Sequence, residues 1–259
     1  HSGAAGMLDI VHALRWVRAN IAEFGGDADN VTVFGQSGGG RKVATLLAMP
    51  SAKGLFHRAI IESGATLSLV EPEQAARVAH ELLTELSIAP ERWRELQNVP
   101  LATLMSAYFA TVRRMNVDLM TMGFAPSVDG SAIVEHPFHP RASGISPDIP
   151  LIVGATRTEL TSSADAAAFT LDEAGMRARV AKLLGNSADR VIETYARANP
   201  GASPADLYFL ISSDERYVAP VMKIAERRAA LGRGPVYLYY FRWETPYDGG
   251  RYKSPHTVE

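Results

Sequence analysis

Residues 31–42 read VTVFGQSGGGRK, an apolar run that enters a glycine-rich turn and leaves it as a helix. Two chemistries use that shape. One cradles a phosphate on backbone N–H groups, and the other holds up a serine as a nucleophile. The phosphate readings miss. Gly35 and Gly40 have the spacing of a P-loop, but Arg41 and Lys42 follow, so the lysine is one place late and no magnesium-binding hydroxyl comes after it. Gly35-Gln36-Ser37 also breaks the G-x-G of a dinucleotide fingerprint. Gly35-Gln36-Ser37-Gly38-Gly39, in contrast, is G-x-S-x-G between a strand and a helix. That context places Ser37 above the sheet at a helix N-terminus, where the dipole favours developing negative charge, with the N–H of Gly38 as an oxyanion donor. The competing reading is a plain glycine-rich strand–helix turn.

A nucleophilic serine needs a base and a group that orients the base. On a sheet of this kind they follow in the order serine, acid, histidine, each after a later strand. PLIVGATRTEL (150–160) supplies strand, short loop and Glu159. PVYLYYFRW (235–243) is the last strand, and His256 lies in the loop beyond it. The alternatives are an ordinary acid at a helix start for Glu159 and a solvated loop residue for His256. Asp165 is the next acid in line. The other histidines, at 1, 12, 57, 80, 136 and 139, all precede the last strand.

The elements that must position these groups alternate. A helical spacing of apolar residues runs over 7–24 and stops at GGDADN; VTVF is a strand, and RKVATLLAM a helix. HRAIIESG (57–64) and PLIVGAT (150–156) are further strands, and 158–197 and 204–231 are helical. Strands separated by helices predict an α/β fold, a mainly parallel sheet with helices on both faces and strands apolar on both sides. Residues 65–149 contain no convincing strand: 72–112 reads as helices broken by Pro90 and Pro100, and 124–138 as loop. This excursion reads as a helical cap (65–149) on a core built from 1–64 and 150–259.

Composition limits the function classes. The 259 residues are 47% hydrophobic, enough for a sizeable core. A net charge of −2, with no block of one sign, argues against a nucleic-acid or anionic-membrane partner. The absence of cysteine excludes disulfides, thiolate metal sites and a cysteine nucleophile. No apolar run approaches the ~20 residues that span a bilayer. HSGAAGMLDI is not a signal peptide and does not start with Met, so the native start is expected upstream and a targeting segment there stays open; the location is left open, with a bacterial cytoplasm as one option.

The stretches GMLDIVHALRWVRANIAEFGGDADNVTVFGQSGGG, LFHRAIIESGA, FAPSVDG, VGATRTEL and PVYLYYF followed by SPHTVE together resemble the type B carboxylesterase family, which includes bacterial para-nitrobenzyl esterases and cholinesterases. The resemblance implies an α/β-hydrolase fold and hydrolysis of carboxylic esters, with Ser37 as nucleophile, His256 as general base and Glu159 as its orienter. It implies no cofactor and no metal, and a small-molecule ester as substrate. Gly38 stands where the family often has alanine, which keeps the backbone donor. Ser63 matches a family serine near the triad, although a buried hydroxyl bonding locally is the simpler role. Family members carry strands and a glycine-rich oxyanion loop upstream, and continue past the histidine segment. The chain therefore reads as a central fragment. Two alternatives follow: a non-enzymatic binding module on the same fold, and a catalytically impaired fragment.

Overall fold

The computed structural model describes residues 2–115 and 125–258. Four strands form one parallel sheet in chain order: β1 (Thr32–Gln36), β2 (Arg58–Glu62), β3 (Leu151–Thr156) and β4 (Val236–Phe241). All four lie where the apolar, β-branched runs predict them. The helices are α1 (Ala5–Asn20), α2 (Gly38–Leu46), α3 (Pro72–Glu85), α4 (Leu101–Met115), α5 (Glu173–Leu184), α6 (Ala188–Ala198), α7 (Pro204–Ser213) and α8 (Ala219–Ala229). α1 is shorter than the predicted 7–24. It passes into a 3₁₀ turn, Ile21–Phe24, which Gly25 ends with a left-handed φ of 79°. α2 starts at Gly38 rather than at Arg41, so the glycines form its first turn.

Register decides what each face of the sheet carries. Ala59, Ile61, Leu151, Val153 and Ala155 alternate onto one face and are fully buried. Against them pack Met7, Val11 and Leu14 of α1, Val43 and Leu46 of α2, and Val221 and Ile224 of α8. Spacings of three and four give each helix a single apolar stripe, and those stripes close the main core. A smaller core, Met176, Val180, Ile192, Leu207 and Ile211, holds α5, α6 and α7 together within the crossover from β3 to β4. Between β2 and β3 the described residues hold α3, α4 and irregular chain, with one isolated bridge, Val70 to Ser127, and no strand. The segment read as loop, 124–138, is irregular from 125 onward; Phe124 lies outside the described residues.

The expectation of strands buried on both sides is not met. Phe34, Ile60, Ile152 and Tyr237 stand in register across all four strands on the second face. Phe34 is 71% exposed, Tyr237 60% and Ile152 40%. The helices that fill the core all pack on the first face, so among the described residues nothing seals this row. Among the described residues β1 also has a strand partner on one side only, β2, which leaves its other edge open to pairing. An apolar row beside an open edge is an association surface. The 259-residue chain expressed alone is therefore expected to elute as oligomers or aggregates in gel filtration with light scattering, and Phe34→Lys is expected to shift it toward monomer. A monodisperse wild-type monomer would show that the row is covered.

Candidate active site

β1 ends at Gln36 and α2 begins at Gly38, which leaves Ser37 alone to turn the chain. It does so at φ 54°, ψ −116°, a conformation that costs an L-residue about 1–3 kcal/mol. Neighbouring backbone enforces it. The Ser37 N–H donates to Glu62 O at 2.8 Å, and Arg41 N–H donates to Ser37 O at 3.0 Å. Ser37 is half-buried. Gly38 opens α2, where the first N–H groups have no carbonyl of their own helix to bind.

Close backbone approach explains which glycines the turn needs. A Cβ on Gly35 would lie 2.4 Å from the carbonyl carbon of Gly39, and one on Gly40 would lie 2.9 Å from the Cα of Gly64. Gly64 in turn has Ser37 O 2.6 Å from where its Cβ would stand. Gly39, although part of G-x-S-x-G, has open space there. Gly40→Ala is therefore expected to lower unfolding free energy by about 1–3 kcal/mol through overpacking. Gly39→Ala is expected to leave it unchanged or raise it by up to about 1 kcal/mol through helix propensity. Denaturant titration of both variants checks the contrast, and equal losses would contradict it.

Glu159 follows β3 in a 3₁₀ turn, Glu159–Ser163, and its side chain is fully buried. Each carboxylate oxygen is engaged. Oε1 accepts from the Thr156 N–H at 2.6 Å and from the Ser63 hydroxyl at 2.5 Å, while Oε2 lies 2.5 Å from Nδ1 of His256. A carboxylate can only accept, so Nδ1 carries the proton and Nε2 is the nitrogen left for a second partner. Ser63 is buried with φ 45°, and its N–H donates to Gly154 O at 2.9 Å. The hydroxyl is buried as the simpler reading has it, but it does not bond locally: its partner is Glu159, 96 residues on, which puts it beside the candidate acid.

The loop after β4 is fastened to the acid's turn. Thr158 N–H donates to Ser254 O, Ser254 N–H to Thr158 Oγ1, and His256 N–H to Glu159 O. Tyr217, from the π-helical turn Asp214–Val218 between α7 and α8, lays its ring 5.0 Å from that of His256. Burial pushes the Tyr217 phenol up, so it stays neutral beside the imidazole. The Gln36 side-chain amide donates to the carbonyl of His256 and ties this loop to β1. Among the hydrogen bonds of the described residues none joins Ser37 Oγ to His256, a gap usual in unliganded sites, where such bonds tighten only with substrate.

Asp165 is elsewhere. It is exposed, caps the 3₁₀ turn Ala166–Thr170 and pairs with Arg179, whose guanidinium holds the carboxyl below the usual carboxylate range. His57 and His136 accept backbone N–H bonds from Val31 and Leu69. His12 and His80 are exposed on α1 and α3. Sequence reasoning passed over Gln36, which it treated as the free position of the motif, and Tyr217, which carries no local signal. The described residues contain no group of three or more His, Asp or Glu placed to hold a metal ion.

The model of the carboxylesterase family matches residues 1–258. The chain belongs to this family. It is 34% identical to a para-nitrobenzyl esterase of Bacillus subtilis (strain 168), over 100% of this chain and 51% of that protein. It is 31% identical to a phenmedipham hydrolase of Pseudarthrobacter oxydans, over 98% of this chain and 50% of that one. Among solved structures, a Geobacillus stearothermophilus carboxylesterase aligns with a TM-score of 0.75 at 33% identity, covering 93% of this chain and 50% of that one. The chain thus has the α/β-hydrolase fold, and it spans about half the length of these relatives.

Proposed function

We propose that the protein to which this chain belongs hydrolyses carboxylic esters through an acyl-serine intermediate. The observation that carries the reading is the pairing of buried Glu159 with partly buried His256, tied through Gln36 to the strained turn at Ser37. Ser37 Oγ attacks the ester carbonyl carbon while His256 Nε2 takes the hydroxyl proton. Glu159 keeps the second proton on Nδ1 and offsets the imidazolium charge. The tetrahedral oxyanion is met by the Gly38 N–H at the start of α2. Collapse breaks the bond to the alkoxy group, which leaves as the alcohol with the proton from His256. A water, deprotonated by the same nitrogen, then attacks the acyl group and frees the acid and Ser37. The scheme uses no metal and no cofactor.

The substrate is a small-molecule ester; the printed names of the relatives, para-nitrobenzyl esterase and phenmedipham hydrolase, support the class without fixing a member of it. Residues 65–149 would act as the cap over the core of 1–64 and 150–259. No helix among the described residues is long and apolar enough to cross a membrane. A binding module on the same fold is the rival reading, and the intact pairing of Glu159 with His256 favours the enzyme. The test is hydrolysis of a short-chain nitrophenyl ester together with organophosphate labelling and peptide mapping. Label at Ser37 supports the proposal; none in a folded sample, with no turnover, favours the binding module.

A further inference from the structure

We infer that Gln36 is a positioning residue for the general base: its side-chain amide holds the His256 segment against the nucleophile strand. The inference rests on the proposed roles of Ser37, His256 and Glu159. Most of the bonds that fix the loop after β4 run to one neighbour. Thr158, Glu159 and Thr161 bind the backbone of Tyr252, Ser254 and His256, and Ser254 Oγ bonds Trp243 O. They set the imidazole relative to the acid. They do not set it relative to Ser37, which follows β1, two strands from the acid's β3.

Gln36 spans that gap. It is the last residue of β1 and the one before Ser37, so its backbone position is fixed by the same turn. Its amide reaches the His256 carbonyl, 220 residues later in the chain. The amide assignment follows from chemistry: the acceptor is a carbonyl oxygen, so the nitrogen and not the oxygen of Gln36 must face it. The same residue thus touches both partners that must meet for proton transfer, one through the chain and one through a hydrogen bond. A misplacement of about 1 Å between reacting groups can cost about 100-fold in rate.

The test compares Gln36→Met, similar in length and without a donor, and Gln36→Glu, whose carboxylate repels the carbonyl, with the wild type. The first readout needs no turnover. The His256 Nδ1 proton, shared with Glu159, is followed by proton NMR at low field, and its exchange with solvent is timed. Loss of one hydrogen bond is expected to speed exchange about 3- to 10-fold in Gln36→Met, and more in Gln36→Glu, with far-UV circular dichroism unchanged. The second readout is ester turnover per organophosphate-titrated site, with kcat expected to fall about 10- to 100-fold while KM changes little. Wild-type exchange and wild-type kcat in Gln36→Met would overturn the inference while leaving the proposed triad standing. A wild-type protein in which Ser37 takes no label and no low-field proton is seen would overturn the triad, and the inference with it.

Discussion

Ser37→Ala is expected to abolish turnover of a short-chain nitrophenyl ester, with kcat falling by about 10⁶-fold, the loss seen when a serine hydrolase is deprived of its nucleophile. The size follows from the site. Alanine keeps the turn and the Gly38 N–H but removes the atom proposed to form the acyl bond. Ser63, the nearest candidate by sequence, is 1% exposed, and its hydroxyl proton is committed to Glu159. An organophosphate is accordingly expected to add at Ser37 alone in the wild type and nowhere in the variant. Mapping the adduct by mass spectrometry checks this. Label on Ser63, or turnover surviving in Ser37→Ala, would remove Ser37 from the mechanism.

Glu159→Gln has the second largest expected effect, a loss of about 10⁴ in kcat with KM close to wild type. The reason lies in how the two oxygens are used. Oε1 accepts two donors, the Thr156 N–H and the Ser63 hydroxyl, while Oε2 faces His256 Nδ1. A glutamine must turn its NH₂ one way or the other. Toward Thr156 it would set donor against donor, so the oxygen stays there and the NH₂ faces Nδ1. Nδ1 must then accept, the imidazole proton moves to Nε2, and the nitrogen proposed to take the Ser37 proton already carries one. The variant is expected to fold, bind ester and accept the organophosphate slowly. Turnover per folded molecule within tenfold of wild type would show that another group orients His256. Asp165 is not that group, because its carboxylate is on the surface with Arg179.

The rate of the chain as it stands is a separate matter. Gly38 is proposed as one oxyanion donor, and an oxyanion hole is built from several; losing one such donor costs about 100- to 1000-fold. The chain spans half of its relatives' length, so the two variants above are best compared within one preparation, relative to its own wild type.

What the sequence determined by itself is what local chemistry encodes. Short β-branched runs bounded by turn residues gave all four strands, because a buried parallel strand needs little more than that pattern. The elbow was legible because its constraint is local: one residue must turn the chain between strand and helix, and Gly35 must let the backbone of Gly39 approach. Glu159 and His256 were legible as candidates through chain order on an assumed sheet and through the family resemblance; the structure puts Glu159 just after β3 and brings the more distant His256 loop back to it. Tertiary structure decided the rest. That Gly40 and Gly64 are the tight pair at the elbow, while Gly39 is open, depends on how closely α2 crosses the loop after β2. That the row Phe34, Ile152, Tyr237 lies bare depends on which face the helices chose, and apolar composition is the same for either face. The Ser63–Glu159 and Gln36–His256 bonds join residues 96 and 220 positions apart. A hydrogen bond needs its two atoms within about 3 Å, and no periodicity or propensity carries that information across such a span; only the packed sheet brings the ends of β1, β2, β3 and β4 to one place.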